Sequence, residues 1–460
     1  MRIIVLGAGQ VGRSLVENLV GEAKDITVVD IDKQRLQLLQ ERFPSIKVIC
    51  APGSHPVTLS RAGAEDADML VAVTNSDEIN MIACQVAQSL FNVPRKIARV
   101  REPGYMEQGQ ALFAKASVPV DVLINPEALV TRNLKKLIRY PGALQVINFA
   151  DGRAQLVAVR ALKGGALIGH EISSLRDLLP SVEIRVAAIF RRDRSVIPQG
   201  DTVIEEGDEL FFVAAKSDIR AVLTELRRRE KPYKRIMIAG GGSVGARLAQ
   251  SLESAYRVKL IEHDLPRCQW LSQQLLHTTV LHGSASDREL LIEESIESID
   301  VFLAVTNDDE ANIMASMLAK RMGARTVITL ISNPAYAELV QGGDIDIAIS
   351  PQQATIGALL THVRKGDVVA VHSLRRGAAE AMEAVAHGDA QSSQVVGRRL
   401  DELALPSGTV VGAVVRGENV IIAHDSTVIE DGDHIIVFVP DQRDVPAVER
   451  LFQVGLTFLL

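Results

Sequence analysis

The 460-residue chain lacks the features of several protein classes. It has only three cysteines, Cys50, Cys84 and Cys268, with no CxxC pair and no His/Cys spacing typical of a metal site. This scarcity argues against a disulfide or metal framework and fits a reducing compartment. We expect all three cysteines to be small core residues.

Long apolar runs are also missing. No uninterrupted apolar stretch reaches the ~18 residues of a membrane-spanning helix, which excludes such a helix. The opening stretch MRIIVLGAG is too short for a signal peptide. The apolar tail 454–460, VGLTFLL, is too short to insert in lipid, so we expect it to dock on a core or on a neighbouring subunit.

Positive charge is not in excess, because the net charge is −7, and we therefore expect no nucleic-acid partner. One basic cluster occurs where a helix is predicted to end and a linker to begin, at 227–229 with Lys231, Lys234 and Arg235. Its charges either pair with the helix C-terminus and water, or contact an anionic partner or lipid surface. A nucleotide-responsive transcription factor of the Rex type would need a winged helix-turn-helix, which we expect at neither end.

What the chain does have is one glycine-rich fingerprint written twice. The first copy, RIIVLGAGQVG, contains Gly7, Gly9 and Gly12, and the second, RIMIAGGGSVG, contains Gly240, Gly242 and Gly245. Each copy follows a short apolar run, 3–6 or 236–239, that predicts a buried parallel strand, and each precedes a helical pattern. In a dinucleotide-binding motif the three glycines permit a tight turn, close approach of the pyrophosphate, and close packing of the helix.

A carboxylate ends the second predicted strand of each half. The strand 26–29 is followed by Asp30, and the strand 258–261 by Glu262. A carboxylate at this place accepts hydrogen bonds from the adenosine ribose and repels a 2′-phosphate. The pattern therefore favours NAD(H) or an adenine nucleotide over NADP(H) at both sites.

The repeat continues well beyond the glycines. The segment AGAEDADMLVAVTNSDEINMIACQVA is matched by IESIDVFLAVTNDDEANIMASMLA, and each half adds a further strand, 96–101 or 327–332. Pro126 and Pro351 then precede helices, in keeping with the preference of proline for the first turn. Alternating strands and helices predict a doubly wound parallel sheet in each half, an α/β fold of the Rossmann type.

A smaller module with short alternating strands follows each parallel sheet. In the turns VIEEGDEL and VIEDGDHI, Gly207 and Gly432 stand where a hairpin needs positive φ. We therefore predict duplicated two-domain units with this order: a Rossmann domain at 1–125, a small α+β domain at 140–226, a linker at 227–234, a Rossmann domain at 235–350 and a small α+β domain at 366–454.

Thr74 and Thr306 end apolar strands at the sheet edge where ligands bind. Their hydroxyl and N–H groups either reach a nucleotide or cap the following helix, and the two roles are compatible. The acidic pairs 77–78 and 309–310 are expected in the first helical turn, where they favour the helix dipole.

Arg99 and Arg101 are two residues apart on a predicted strand and so share a face, where either is suited to bind a phosphate. The aligned positions are Leu330 and Ser332, so the two sites should differ in ligand charge preference or affinity.

An oxidoreductase would need more than a dinucleotide site. It needs a general acid or base beside the nicotinamide, and the ten histidines form neither HExxH nor a Ser-His-Asp order, while no YxxxK pair occurs. Two nucleotide sites beside two small modules without catalytic residues favour a sensor. An NAD-dependent oxidoreductase is the alternative.

The GAGQVG and GGGSVG loops, the VTNSDEIN segment and IARVREPGY resemble the TrkA family, peripheral regulatory subunits of Trk potassium uptake systems built from RCK (KTN) domains. The resemblance covers essentially the whole chain. It implies a protein without enzymatic activity at the cytoplasmic side of the inner membrane, forming a homo-oligomer, with a tetramer expected, and docking on the membrane-embedded Trk potassium translocating subunit.

The resemblance also implies that NAD(H), and ATP or ADP, bind in the sockets. The family's contacts fall in the first half on Gly7, Ala8, Gly9, Gln10, Val11, Gly12, Asp30, Val73, Thr74 and Arg99. In the second half they fall on Gly240, Gly241, Gly242, Ser243, Val244, Gly245, Glu262, Val305 and Thr306.

Overall fold

The computed structural model describes residues 1–20, 25–113, 117–162, 165, 167–178, 180, 182–192, 194–226, 231–340, 343–363, 367–374 and 379–453. The apolar tail 454–460 and the arginines 227–229, on which predictions were made, lie outside these residues.

The first parallel sheet has the strand order β3-β2-β1-β4-β5-β6, with every pairing parallel. Its strands are β1 (Arg2–Leu6), β2 (Asp25–Asp30), β3 (Lys47–Cys50), β4 (Met69–Ala72), β5 (Arg95–Arg99) and β6 (Val122–Ile124). The helices of this region are α1 (Gln10–Leu19), α2 (Lys33–Arg42), α3 (Pro56–Arg61), α4 (Asp77–Phe91), α5 (Pro103–Glu107), α6 (Gly109–Leu112) and α7 (Pro126–Arg139). The buried residues of the central strands, 3–6 in β1 and 69–72 in β4, are all apolar because helices cover both faces of such a sheet.

The first antiparallel sheet has the order β10-β9-β11-β8-β7. Its elements are β7 (Ala143–Phe149), β8 (Ala154–Arg160), α8 (Leu175–Leu178), β9 (Ile184–Arg191), β10 (Arg194–Val196), β11 (Glu209–Ala215) and α9 (Ile219–Leu226).

The second parallel sheet repeats the first, with the order β14-β13-β12-β15-β16-β17. Its strands are β12 (Arg235–Ala239), β13 (Arg257–Glu262), β14 (Thr279–His282), β15 (Val301–Ala304), β16 (Thr326–Leu330) and β17 (Ile347–Ile349). The helices are α10 (Ser243–Leu252), α11 (Leu265–Gln274), α12 (Arg288–Glu293), α13 (Asp309–Arg321), α14 (Pro334–Leu339) and α15 (Pro351–Val363). The predicted fold class, two Rossmann-type parallel sheets each followed by a small α+β module, is confirmed.

The second antiparallel sheet has the order β18-β19-β22-β20-β21. Its elements are β18 (Val368–Leu374), β19 (Ala379–Val385), β20 (Val410–Arg416), β21 (Asn419–Ile422), β22 (His434–Val439) and α16 (Val445–Leu451). Both α7 and α15 begin at the predicted prolines.

Contacts divide the chain into two compact units, 1–129 with 351–360, and 130–350 with 361–460. Within the second unit the two antiparallel sheets share one apolar core, in which Phe149 and Phe211 of the first sheet lie in one cluster with Ala413 and Phe438 of the second. A polar contact joins them too, because the buried carboxylate of Glu383 accepts a hydrogen bond from Ala150 N at 2.9 Å.

Several local predictions need correction. The two turn glycines do have positive φ, +88° at Gly207 and +79° at Gly432, but the segments before and after each turn do not pair as a hairpin. Instead the turn leads into β11 or β22, which pair with other strands. Cys84 and Cys268 are buried as expected, whereas Cys50 is exposed because it ends the edge strand β3.

No helix in the described ranges is both long enough and apolar enough to cross a membrane.

Two candidate nucleotide sockets

The first and third glycines of each fingerprint are required by the protein's own packing. Gly7 has φ +106°, and a Cβ there would lie 3.0 Å from the carbonyl oxygen of Val73. A Cβ on Gly12 would lie 1.8 Å from the carbonyl oxygen of Gly7, so only glycine lets the first turn of α1 pack against the loop. Gly240 and Gly245 repeat both constraints, with φ +106° and a distance of 1.8 Å.

The second glycine is different. A Cβ on Gly9 would meet only the Arg35 Nη1 atom, at 3.9 Å, and a Cβ on Gly242 would meet nothing within 4 Å. Both residues have ordinary extended backbone, with φ −68° and −66°. Neither packing nor backbone conformation therefore requires glycine here. The open space lies at the start of α1 and of α10, where no side chain caps the helix.

Five other helices in the two parallel-sheet regions are capped at the N-terminus by a side chain. The helices α2, α4, α11, α12 and α13 each have a side-chain N-cap, from Asp32, Ser76, Asp264, Asp287 and Asp308. The N-terminus of a helix attracts anions through its N–H groups and dipole. The predicted contact residues Gln10, Val11, Ser243 and Val244 lie in the first turns of α1 and α10, neither of which has a side-chain cap.

The acid at the end of the second strand holds the glycine loop in each half. Asp30 accepts hydrogen bonds from Ala8 N at 2.5 Å and from Asp32 N at 2.8 Å. It is half-buried at the carboxyl end of β2, where sequence reasoning placed it. Its two oxygens thus connect the loop after β1 to the turn after β2.

Glu262 makes the equivalent bonds, to Gly241 N at 2.7 Å and to Asp264 N at 2.9 Å, and it also contacts His263 Nδ1 at 2.8 Å. Burial raises the pKa of this carboxyl, but the hydrogen bonds from Asp264 and Gly241 and the charge of His263 outweigh it. The net result is that the pKa of Glu262 is lowered, so the carboxylate is ionised.

Thr74 and Thr306 are held by asparagines that sequence reasoning did not single out. Asn80 Oδ1 accepts from Thr74 N at 3.0 Å and bonds to its hydroxyl at 2.7 Å, while Asn80 Nδ2 donates to Arg99 O at 2.9 Å. Asn312 makes the same bonds to Thr306 and to Leu330 O. Each asparagine thereby joins the carboxyl ends of two neighbouring strands.

The helix-capping alternative for the threonines is wrong. Ser76 caps α4 by accepting from Ile79 N at 3.2 Å, and Asp308 caps α13 by accepting from Ala311 N at 2.8 Å. The hydroxyl groups of Thr74 and Thr306 lie inside these turns, where each accepts from the N–H of the capping residue.

Asp77 does more than favour the helix dipole. It is buried and accepts from Arg101 N at 2.8 Å and from Glu102 N at 2.9 Å. The aligned Asp309 accepts from Ser332 N and Asn333 N. Each of these aspartates therefore ties the first turn of a helix to the segment that leaves the neighbouring strand.

Arg99 and Arg101 do not share a strand face, because β5 ends at Arg99. The Arg101 guanidinium donates to Asn75 O at 2.5 Å and lies 3.5 Å from Asp77 Oδ1. Arg99 is half-buried, and its Nε has no hydrogen-bond partner among the described residues. Burial lowers the pKa of Arg99, and the charge of Arg101 lowers it further.

The second socket has no such cation at this place. Leu330 ends β16 and is buried. Val73 and Val305 are also buried, each donating its N–H to the strand that precedes the glycine loop, at Leu6 O and Ala239 O. The predicted residues of each half therefore gather at one edge of one parallel sheet, and the two edges differ in charge.

Sequence reasoning missed one further pair, Arg35 and Arg267, which follow the acids of the second strands by the same spacing. Arg35 Nε lies 3.1 Å from Asp32 Oδ2. Arg267 Nε donates to Gly241 O at 2.8 Å, and its guanidinium lies 4.1 Å from the centre of the Trp270 ring. The conserved spacing within the repeat was the available signal.

Over the described residues, no group of three or more His, Cys, Asp or Glu side chains is arranged to hold a metal ion.

Comparison with known families decides the assignment. The TrkA-N domain model matches residues 3–126 and 236–351, and the TrkA-C domain model matches residues 156–227 and 390–453. The chain belongs to the TrkA family.

Full-length relatives agree with this assignment. The chain is 62% identical to the Trk system potassium uptake protein TrkA of Halomonas elongata, 58% to that of Vibrio alginolyticus and 51% to that of Haemophilus influenzae. In each case all of this chain and all of the relative are covered. The TrkA family serves potassium uptake, so the oxidoreductase alternative is wrong.

Solved structures support the fold. The GsuK RCK domain has a TM-score of 0.62 at 17% identity, covering 98% of this chain and 94% of that one. A GsuK channel bound to NAD has a TM-score of 0.61 at 18% identity, covering 98% of this chain and 78% of that one. At these identities the likeness concerns the RCK fold alone, which the TrkA family member shares.

Proposed function

We propose that this TrkA family member is a nucleotide-sensing regulatory subunit that binds NAD(H), and ATP or ADP, in its Rossmann sockets and thereby gates a membrane-embedded potassium translocating subunit. The observation that carries this proposal is the second fingerprint glycine. Gly9 and Gly242 have ordinary φ and open space around the Cβ position, so the protein's own fold gives no reason for glycine there.

A bound pyrophosphate gives that reason. The second glycine of the motif lets the backbone approach the phosphates, which then accept hydrogen bonds from the free N–H groups of the following helix. The absence of side-chain caps on α1 and α10 supports this use, as does the acid on the neighbouring strand. The GsuK channel bound to NAD has the same fold and is a further support.

The two sockets would differ in the ligands they prefer. In the first, Arg99 Nε has no partner among the described residues, and a half-buried guanidinium is suited to bind a phosphate oxygen. In the second, the buried Leu330 stands in its place. We infer that the first socket has the higher affinity for ligands with more phosphate charge, such as ATP.

The VTNSDEIN segment connects the edge of the sheet at the socket to other elements of the first unit. Asn80 joins the ends of β4 and β5, and Asp77 binds the backbone of Arg101 and Glu102, which lead into α5. A ligand on the sheet edge would favour one position of α4 and of this segment over another. Ligands shift an equilibrium by their differential affinity for its two states. In a homotetramer docked on the cytoplasmic side of the inner membrane, that shift would reach the translocating subunit.

Isothermal titration calorimetry of the full chain with NAD+, NADH, ATP and ADP tests the binding step. Gly9→Ala should keep the fold, since its Cβ meets only a distant arginine atom, and should lose binding at the first socket. Gly242→Ala should do the same at the second. Circular dichroism confirms that both variants are folded. Unchanged isotherms in both folded variants would refute nucleotide binding by these loops.

Potassium flux tests the gating step. The purified chain is added to the reconstituted translocating subunit in liposomes, and flux is measured with and without each nucleotide that binds. We expect a nucleotide response in the wild type and its loss in Gly9→Ala. A response that survives when binding is lost would overturn the proposed mechanism.

A further inference from the structure

The ribose-side rim of the second socket carries nitrogen donors that the first socket lacks. Because β13 pairs with β14 in the register Glu262 to His282, and β2 with β3 in the register Asp30 to Cys50, His282 occupies the place of Cys50. The residue after the acid differs as well, since Ile31 in the first half is replaced by His263 in the second. All four of these rim side chains, at positions 31, 50, 263 and 282, are exposed.

These histidines are linked to the acid and to each other. His263 Nδ1 lies 2.8 Å from Glu262 Oε1, which leaves its Nε2 edge on the solvent side. His282 Nε2 lies 3.1 Å from the carbonyl oxygen of His263, so the end of β14 supports the backbone of the rim. In the first half, neither Ile31 nor Cys50 offers an imidazole or a cation at this place.

The aligned arginines also differ. Arg35 pairs with the carboxylate of Asp32 at 3.1 Å. Arg267 has no carboxylate within ion-pair distance in the part of the chain that the structure describes, although Asp264 accepts from its backbone N–H at 3.0 Å as the cap of α11. Its guanidinium is held over Trp270 and against the glycine loop by Gly241 O. The charge of Arg267 is therefore fixed in place and available to an anion.

The acid of this socket is more buried than its counterpart in the first half, and three nitrogen atoms already lie against it. Glu262 is only 7% exposed, its oxygens already accept from Gly241 N and Asp264 N, and its Oε1 lies 2.8 Å from His263 Nδ1. Asp30 accepts two backbone N–H groups, and the residue that follows it is Ile31. A free carboxylate at this place binds the ribose 2′-hydroxyl, whereas a nearby arginine accommodates a 2′-phosphate.

We propose that the second socket accepts an adenine dinucleotide with a 2′-phosphate, NADP(H), with Arg267 and His263 binding that phosphate, whereas the first socket selects NAD(H). This inference rests on the proposed function, in which both loops bind dinucleotides. It departs from the expectation that both acids select against a 2′-phosphate. The chain would then respond to two nucleotide pools through two sockets.

The chain offers a built-in reporter, because Trp270 is its only tryptophan and lies against Arg267. Trp270 fluorescence therefore follows the second socket, and calorimetry follows both. Gly9→Ala isolates the second socket, and Gly242→Ala isolates the first. In Gly9→Ala we expect NADP+ to bind at least as tightly as NAD+ and to change Trp270 emission. In Gly242→Ala we expect NAD+ to bind at least about tenfold more tightly than NADP+.

Two rim variants test the named side chains in the Gly9→Ala background. Arg267→Gln should weaken NADP+ binding about tenfold while NAD+ binding changes less, because a charge-assisted contact to the 2′-phosphate is lost. The double change His263→Ile and His282→Cys copies the first socket at exposed positions and should shift the preference towards NAD+. Arg257→Gln, at the exposed amino end of β13 and so at the opposite end of that strand from Glu262, is the matched control and should alter neither ligand.

The outcomes separate the two proposals. Equal preference for NAD+ in both sockets, or equal losses of NAD+ and NADP+ in Arg267→Gln and in the double variant, would overturn the assignment of NADP(H). Absence of both dinucleotides from the second socket, with NAD+ still bound by the first, would overturn it as well and leave the proposed function standing. Absence of all nucleotide binding from the wild type would overturn the proposed function itself.

Discussion

Glu262 and Gly241 form a compensating pair. The Glu262 Oε2 atom accepts from Gly241 N at 2.7 Å, and a Cβ on residue 241 would lie 3.0 Å from that same oxygen. In the first half the shorter Asp30 faces Ala8, and the equivalent bond is 2.5 Å long. The length of the acid and the size of the loop residue thus vary together between the two halves.

Gly241→Ala should destabilise the second parallel sheet. The new Cβ would meet Leu271 Cδ1 at 2.4 Å as well as the carboxylate, and overpacking of this kind costs about 1–3 kcal/mol. The double variant Gly241→Ala with Glu262→Asp recreates the combination of the first half and should recover part of the loss. Urea unfolding followed by circular dichroism measures both, and an unchanged midpoint in the single variant would contradict the compensation.

Asn80→Ala should loosen the junction of β4 and β5. The asparagine is fully buried and bonds to Thr74 N, to the Thr74 hydroxyl and to Arg99 O. Removing it leaves buried backbone groups without partners, at a cost of about 1–3 kcal/mol for each group. Asn75→Ala is the matched control, because that side chain is exposed. Equal urea midpoints for the two variants would show that the Asn80 bonds do not stabilise the junction.

Much of both sockets could be predicted from sequence because their constraints are local. The glycines, the acids Asp30 and Glu262 and the strand ends are set by chain-adjacent geometry that a motif describes. The roles of Asn80 and Asp77 depend on a partner strand, and a single sequence does not say which backbone groups a polar side chain will meet. The repeat of both residues in the second half was a signal, but it did not reveal their partners.

Tertiary placement explains the remaining differences. Cysteine is a residue type that is usually buried, but Cys50 ends an edge strand and is exposed. The two antiparallel sheets share a core in which Phe149 and Phe438 lie in one cluster although they are far apart in sequence. The periodicity of apolar residues within one module does not show which other module it packs against. Arg101 was assigned to a strand face because the strand was expected to continue, whereas Asp77 binds its backbone and ends the strand.

Asp433→Asn should destabilise the second antiparallel sheet. The carboxylate is fully buried and accepts from Arg416 Nε and Nη2, both at 2.8 Å, and from Glu430 N at 2.8 Å. Breaking a fully buried ion pair by removing one charge costs about 3–5 kcal/mol, and we expect a smaller loss of stability here because the Arg416 side chain is 33% exposed. The matched control is Glu430→Gln, because Glu430 contacts the same arginine from an exposed position. In thermal unfolding, the midpoint temperature should fall by a large amount for Asp433→Asn and by a small amount for Glu430→Gln.

Arg99→Met should separate ligand binding from stability in the first socket. The Arg99 Nε atom has no partner among the described residues, so the fold should tolerate an apolar side chain of similar length. A charge-assisted contact to phosphate would be lost, and we expect affinity for ATP to fall about tenfold. Calorimetry measures this in the Gly242→Ala background. Unchanged ATP affinity would exclude Arg99 as a phosphate ligand.

The final prediction concerns His372 on β18, whose ring lies edge-on to Phe149 with the ring centres 5.3 Å apart. Burial lowers the pKa of His372 to about 4, and the charge of Lys136 adds to this. The folded state therefore binds the proton less readily than the unfolded state, whose histidine pKa is about 6.5. The contribution of neutral His372 to the free energy of unfolding is fully present above pH ~6.5 and is lost as the pH falls towards 4.

Between pH 7 and pH 5 the free energy of unfolding should fall by about 2 kcal/mol because of His372, since each pKa unit corresponds to about 1.4 kcal/mol. His372→Gln removes the titrating group and should make the unfolding midpoint in guanidinium less dependent on pH over this range. His170→Gln is the matched control, because that histidine is exposed in the same compact unit and should leave the pH dependence unchanged. Equal pH dependence in His372→Gln and the wild type would mean that protonation of His372 does not oppose the packing of β18 against Phe149.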